Sequence, residues 1–258
     1  MNDQPSTAPL TPPAGWTDRA AELGIAFEPG DTERLGHFLA LLLDENTRMN
    51  LTAIRQPEEA WDRHILDALT LLPVLAEATP AEEGRPVRVI DVGSGGGVPG
   101  LPLAIALPGH RFTLLDATAK KTAFLRRAAG ELGLTNVDIV TGRAETIGQD
   151  RGQRTATGRA GGHRDQYDAV IARAVGRLPM LAELTVPLAR VGGLIALVKG
   201  QQAEEELAEA KPALHLLHAA HAATLDTPTG RIIVLEKLRP TPKAYPRRDG
   251  EPKRSPLS

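Results

Sequence analysis

Two rhythms of apolar spacing divide the chain. Leu35, Phe38, Leu39, Leu42 and Leu43 recur at steps of three and four, which lines one face of a helix with Asp31 as its N-cap. A second helix opens at Pro57, whose fixed φ suits a first helical position, and carries Trp61, Ile65, Leu69 and Leu72 on one face. At Val87 the period shortens. Val87 to Val92 is a β-branched run that ends in glycines, and a helix follows through Leu107. Strands are predicted at Arg111–Asp116, Val137–Thr141, Tyr167–Val175, Gly193–Val198 and Arg231–Leu238. Helices are predicted at Thr118–Leu132 and Leu178–Ala189, with another beginning near Glu204. Strands alternating with helices predict an α/β fold, a doubly wound, mostly parallel Rossmann-like sheet behind a small helical region.

The breaks in that rhythm set the expected organisation. Residues 1–14 hold four prolines among small polar residues and read as a disordered arm. Residues 15–80 form the helical region and 81–238 the α/β domain. Within the latter, 150–165 reads as a flexible surface insertion, rich in Gly and Thr and carrying Arg151, Arg154, Arg159 and Arg164. Residues 239–258 form a basic, proline-rich tail with Arg239, Lys243, Arg247, Arg248, Lys253 and Arg254 against Asp249 and Glu251. Its composition favours a disordered end over an RNA-phosphate contact.

Composition narrows the chemistry. The 258 residues are 41% hydrophobic but only 3% aromatic, so the core is built from Leu, Ala, Val and Ile. No apolar run approaches the roughly 18 residues of a membrane span, and no signal peptide is visible, so a cytoplasmic protein is expected. The absence of cysteine excludes disulfides, thiolate metal sites and a Cys nucleophile. A net charge of −2 argues against a uniformly basic nucleic-acid binder while leaving local basic patches open.

The main chemical signal is Asp91-Val92-Gly93-Ser94-Gly95-Gly96-Gly97-Val98-Pro99-Gly100, between a predicted strand and a predicted helix. Glycines allow a tight turn and close approach of a ligand, and the helix start offers free N–H groups. Asp116, at the end of the next strand, can accept hydrogen bonds from both hydroxyls of a ribose. Together these describe a nucleoside-cofactor site. Gly95, Gly97 and Gly100 also satisfy the dinucleotide fingerprint, so a nicotinamide-dependent oxidoreductase stays open on the residues alone.

These residues resemble motif I of the S-adenosylmethionine-dependent methyltransferases. The chain is more narrowly similar to the bacterial small-subunit rRNA guanine-N7 methyltransferases of the glucose-inhibited division protein B family. Further matches follow in order: Asn50-Leu51-Thr52, Arg63-His64-Ile65-Leu66-Asp67, Leu115 to Lys121, Gly142-Arg143-Ala144-Glu145, Ile171 to Val175, Lys199-Gly200 and Tyr245 to Pro252. The departures are the insertion at 150–165 and Val98, where the family often has a larger residue. The resemblance implies S-adenosyl-L-methionine as cofactor and S-adenosyl-L-homocysteine as product. It also implies 16S rRNA of the small ribosomal subunit as partner, with guanine N7 at position 527 as acceptor. Carried over by residue, the cofactor contacts are Gly93, Val98, Asp116, Ala117, Thr118, Ala144, Glu145 and Arg173. Arg173 faces the cleft between cofactor and RNA and is the candidate catalytic residue.

The chemistry fits what the chain lacks. Guanine N7 is a neutral lone pair with no proton to remove, so transfer needs alignment and an electrostatic setting, not a general base. Where exocyclic-amine methyltransferases carry an Asn/Asp-Pro-Pro-aromatic motif, this chain reads Ala172-Arg173-Ala174-Val175. Lys199 keeps O-methylation open. N7 lies in the deep groove of A-form RNA, so the target base must be looped or splayed out. Arg63, Lys120, Lys121, Arg126, Arg127, Arg173, Lys199 and the tail are candidates for the approach surface, with a solvated helix face favoured for Lys120, Lys121, Arg126 and Arg127. His215, His218 and His221 fan around a helix, so no metal site is expected. His64 either buttresses the helix against the sheet or lines the substrate cleft. The chain is expected to work as a monomer, without a membrane. A methyltransferase of another substrate and a non-catalytic cofactor-sensing RNA binder are the remaining alternatives.

Overall fold

The computed structural model describes residues 8–155, 158–173 and 176–257. Helices α1 (Trp16–Glu22) and α2 (Asp31–Asn46) lead into a second helical run. That run comprises α3 (Pro57–Ala60), a widened π turn (Trp61–Leu66) and α4 (Asp67–Leu69), before α5 (Leu72–Glu77). The alternating part follows as β1 (Arg88–Val92), α6 (Gly100–Ala106), β2 (Arg111–Asp116), α7 (Ala119–Glu131), β3 (Val137–Thr141) and α8 (Ala144–Gln149). A small hairpin of β4 (Gln153–Thr155) and β5 (Gly158–Ala160) precedes β6 (Tyr167–Arg173), α9 (Leu178–Thr185), β7 (Ala189–Lys199) and α10 (Ala203–Leu217). The chain then forms β8 (Ala219–Thr227), β9 (Gly230–Lys237) and α11 (Glu251–Arg254).

Seven strands form one sheet in the order β3-β2-β1-β6-β7-β9-β8. The first five are parallel, β9 runs antiparallel to β7, and β8 runs antiparallel to β9. Strand order reverses between β1 and β6, and the cleft beyond the carboxyl ends of strands at such a reversal is where α/β sheets bind ligands. Side chains alternate across the sheet. Val89, Ala169 and Ile171 join the core beneath the N-terminal helices, α6 and α7. Ile90, Val92, Val170 and Ala172 join the core beneath α9 and α10.

Three expectations change. Of the arm, residues 1–7 lie outside the described residues, but Leu10 donates its N–H to Gly36 at 3.1 Å and packs on the core. A Cβ at Gly36 would run into the Leu10 carbonyl, so the two segments are held close by the absence of a side chain. The strand predicted to reach Val175 is described to Arg173; Ala174 and Val175 lie outside. Residues 219–227 are a strand, because His218 takes a left-handed φ of 62° that ends α10. The small side chains and edge position of this strand left no period-two signal. His215 and His221 therefore sit on different elements, and no metal-holding group of His, Asp or Glu occurs among the described residues.

The tail is not disordered. It folds as a strap under α8 and α9, and the end of the 150–165 insertion, of which 156 and 157 lie outside the described residues, anchors it. Arg164, 3% exposed, donates to the carbonyls of Gly148 (2.9 Å), Tyr245 (2.6 Å), Thr241 (2.8 Å) and Pro242 (3.2 Å). Arg247 pairs through two nitrogens with Glu183, which is fully buried on α9. Lys237, also fully buried, donates to Asp165 and, at 2.8 Å, to the Ala189 carbonyl. No helix among the described residues is long and apolar enough to cross a membrane.

Candidate active site

The glycine loop turns sharply at the end of β1. Gly97 sits at φ 91°, and a Cβ there would lie 2.7 Å from Leu101. Gly96 serves a different purpose: a Cβ would lie 2.7 Å from a Leu42 methyl of α2 and 3.3 Å from Leu51 Cβ, so the missing side chain lets the helical region pack closely on the loop. Asp91 underlies the turn, fully buried, with Oδ2 accepting the Gly100 N–H at 3.1 Å and Oδ1 unpartnered. Burial pushes its carboxyl up to about 7, against the pull of that N–H.

Asp116 ends β2 opposite the loop. Its Oδ2 accepts the Gly95 N–H at 3.0 Å and its Oδ1 the Thr118 N–H at 2.8 Å. Both contacts orient the carboxylate and leave further lone pairs on each oxygen. Asp116 lines a cavity of about 300 Å³ together with Gly93, Ala117, Thr118, Ala144 and Glu145. Six of the eight expected cofactor residues thus share one cavity. Its apolar wall of Val92, Leu115, Met180 and Leu184 suits a flat base, and its acid suits a ribose, so these residues fit a nucleoside. Gly250 and Lys253 of the strap complete it; the motif match at Tyr245 to Pro252 covered the first without indicating that it reaches this cavity. The Glu145 carboxylate is committed to the strap, accepting the Gly250 N–H at 2.9 Å.

The remaining two, Val98 and Arg173, line an adjoining cavity of about 200 Å³ with Ser94, Gly95, Thr52 and His64. Gly93 and Lys121 border both cavities, which makes them neighbours along one groove. Thr52, His64 and Arg173 in turn border a third, larger cleft of about 560 Å³, open to Arg63, Asp67, Lys199 and Thr229. These three side chains therefore form the partition between the small cavity and the wide cleft.

Arg173 is held there by three partners. Its Nη1 donates to Asp67 Oδ2 at 2.8 Å and to the Arg63 carbonyl at 2.7 Å, and its Nη2 reaches His64 Nδ1 at 3.2 Å. Asp67 also accepts the Thr229 hydroxyl. The π turn brings His64 and Asp67 inward, so His64 both buttresses the helix and lines the cleft. Burial, then the Arg173 charge, lowers its pKa to about 4. Lys199 donates to Glu206 at 2.7 Å and to the Gly176 carbonyl at 2.6 Å, so it is no free base. Arg126 is bonded to Thr141 and Arg127 is paired with Glu45, so both are tied to neighbouring elements instead of lying on the simply solvated helix face expected. Thr52 was legible only as part of a motif match, because nothing in its spacing points to His64 as a partner or, beyond it, to Arg173.

A family model described as rRNA small subunit methyltransferase G matches residues 31–231. The chain is 49% identical over 244 residues to the ribosomal RNA small subunit methyltransferase G of Sorangium cellulosum, covering 95% of each. It is 41% identical to the protein of that name from Deinococcus radiodurans, covering 92% of this chain and 90% of that one. Among solved structures, a methyltransferase from Geobacter sulfurreducens aligns with a TM-score of 0.50 at 16% identity, over 86% of this chain and 98% of that one. That likeness bears on the fold alone and agrees with the α/β sheet described above. The family model and the relatives set aside the oxidoreductase reading of the glycine loop: this chain belongs to the rRNA small subunit methyltransferase G family.

Proposed function

We propose that the chain methylates guanine N7 in the 16S rRNA of the small ribosomal subunit, as a monomer, with S-adenosyl-L-methionine as donor and S-adenosyl-L-homocysteine as product. The observation that carries this reading is the partition of Thr52, His64 and Arg173, which separates a nucleoside-shaped groove from a wide cleft. When bound, the cofactor supplies a methyl group on a positively charged sulfur. Asp116 holds the ribose. Val92, Leu115, Met180 and Leu184 cover the adenine, with Ala144 and the strap beside it.

The cleft side supports a nucleophile that needs no deprotonation. Its candidate bases are engaged: His64 by Thr52 and Arg173, Asp67 by Arg173 and Thr229, and Lys199 by Glu206. Arg173, neutralised by Asp67, shapes the cleft without adding net positive charge beside a base that becomes cationic. A ring nitrogen with a free lone pair suits such a site; a hydroxyl or an amine would need a base that is not spare here. The exposed Arg63 and Lys120 supply positive charge for approach of the RNA.

Incubation with radiolabelled S-adenosyl-L-methionine and unmodified small subunits, followed by mapping of the label, tests the reading. Label on N7 of a guanine is expected. Label on oxygen, carbon or an exocyclic amine would overturn it, as would calorimetric binding of NAD in place of S-adenosyl-L-methionine.

A further inference from the structure

Three contacts point to where the protons lie along the partition. A guanidinium only donates hydrogen bonds, so His64 Nδ1, 3.2 Å from Arg173 Nη2, is an acceptor and carries no hydrogen. The hydrogen of the neutral ring is therefore on Nε2, which lies 2.9 Å from Thr52 Oγ1 and donates to it. The Ile54 N–H donates to the same oxygen at 3.1 Å. Thr52 Oγ1 accepts twice, which uses both lone pairs, and its own hydrogen has no acceptor among the described residues. Burial of the His64 ring, which keeps it neutral at physiological pH, agrees with this assignment.

The hydroxyl is also fixed in space. Asn46, 6% exposed at the end of α2, accepts the N–H groups of Leu51 (2.8 Å) and Thr52 (3.0 Å) and donates to the Thr52 carbonyl at 2.9 Å. Leu51 in turn packs where the missing Cβ of Gly96 would be, which seats Thr52 beside the glycine loop. A committed donor thus lies on the boundary between the small cavity and the wide cleft, with no partner of its own.

We propose that Thr52 is the guanine-selecting residue of this site, donating its hydroxyl hydrogen to O6 of the target base. The inference rests on the N7 reading above. On the edge that carries N7, guanine presents O6, an acceptor, where adenine presents N6–H₂, a donor. A hydroxyl that can only donate matches the first and opposes the second, and it leaves N7 unoccupied. Methylation of N7 draws electron density from O6, so the bond is stronger before transfer than after it. Thr52 therefore acts in selection and capture, and its loss raises KM more than it lowers kcat.

The test compares Thr52→Val, which keeps the shape and loses the hydroxyl, with Thr52→Ser, which keeps the hydroxyl. With small subunits as substrate, Thr52→Val is expected to lower kcat/KM about tenfold or more, mainly through KM, while Thr52→Ser stays within about threefold of the parent. Affinity for S-adenosyl-L-methionine is expected to be unchanged in both. Subunits carrying adenine at the target position should be discriminated less well by Thr52→Val than by the parent chain, a readout that a purely structural role would not move. Nitrogen NMR of His64 in the parent chain should show Nδ1 unprotonated, and it decides the matter even if the valine variant does not fold. Full activity and selectivity of Thr52→Val, or a hydrogen on Nδ1, would overturn the proposal. Absence of N7 transfer by the parent chain would instead defeat the reading on which it rests.

Discussion

The two sides of the groove are built in opposite ways. The nucleoside side is local: the loop after β1 and the acid that ends β2 face each other because adjacent parallel strands bring their carboxyl ends together. The cleft side is assembled from afar, with Thr52 from a loop, His64 and Asp67 from the π turn and α4, Arg173 from β6 and Thr229 from the β8–β9 connection. On the first side, backbone N–H groups satisfy the key carboxylate. On the second, side chains satisfy one another, and each depends on the next. The loop and its acid hold each other without distant side chains, although the strap closes their cavity, whereas a relay of side chains fails as a unit.

The largest effect is expected where the strap closes the nucleoside side. Arg247→Ala leaves Glu183 buried without its cation and should cost about 3–5 kcal/mol in thermal or denaturant unfolding. Affinity for S-adenosyl-L-methionine should fall with it, because Gly250 and Lys253 border that cavity. An unchanged unfolding midpoint would mean that the strap is not part of the fold. Arg173→Ala comes next. It releases His64 and Asp67 together and should slow methyl transfer about a hundredfold through misplaced groups, with cofactor affinity nearly constant by calorimetry. Equal losses in both measurements would merge the two sides that the geometry keeps apart. Asp116→Ala should do the reverse, weakening cofactor binding by about tenfold or more while the melting curve stays cooperative; retained affinity would remove the ribose role.

The effects of pH are read as slopes of stability, and they have opposite signs on the two sides. Asp91 has a folded pKa near 7, above its unfolded value, so its protonated form favours the fold. Its contribution is complete below the unfolded value of 3.8 and is lost as pH rises from there through 7, at about 1.4 kcal/mol per pH unit. His64, lowered to about 4, contributes fully above its unfolded value of 6.5, and that stability is lost as pH falls from there toward 4. Asp91→Asn should remove a fall in stability between about pH 4 and 7, and His64→Gln a rise in stability between about pH 4 and 6.5. A variant that leaves its own slope unchanged would show that the group is not buried as described.

The same contrast explains what could be read from the sequence. Strand β2, strand β3 and the glycine loop were legible because each is coded by consecutive residues, and Asp116 followed from one strand-to-strand step. The adjacency of Thr52, His64 and Arg173 was not, because it depends on how α2 closes on Gly96 and on the π turn, neither of which has a periodic signature. The strap was misread for a related reason. Proline and basic residues resemble a solvated end until Glu183 and the backbone carbonyls reached by Arg164 are seen to hold it. Strand β8 escaped because small residues at a sheet edge carry no alternation.

The division into two sides is tested most directly by determining the structure with S-adenosyl-L-methionine bound. The ribose is expected on Asp116, the adenine against Leu115 and Met180, and the sulfonium methyl in the small cavity facing Thr52 and Arg173. Adenine in the wide cleft beside Lys199, or a methyl group turned away from that partition, would contradict the division.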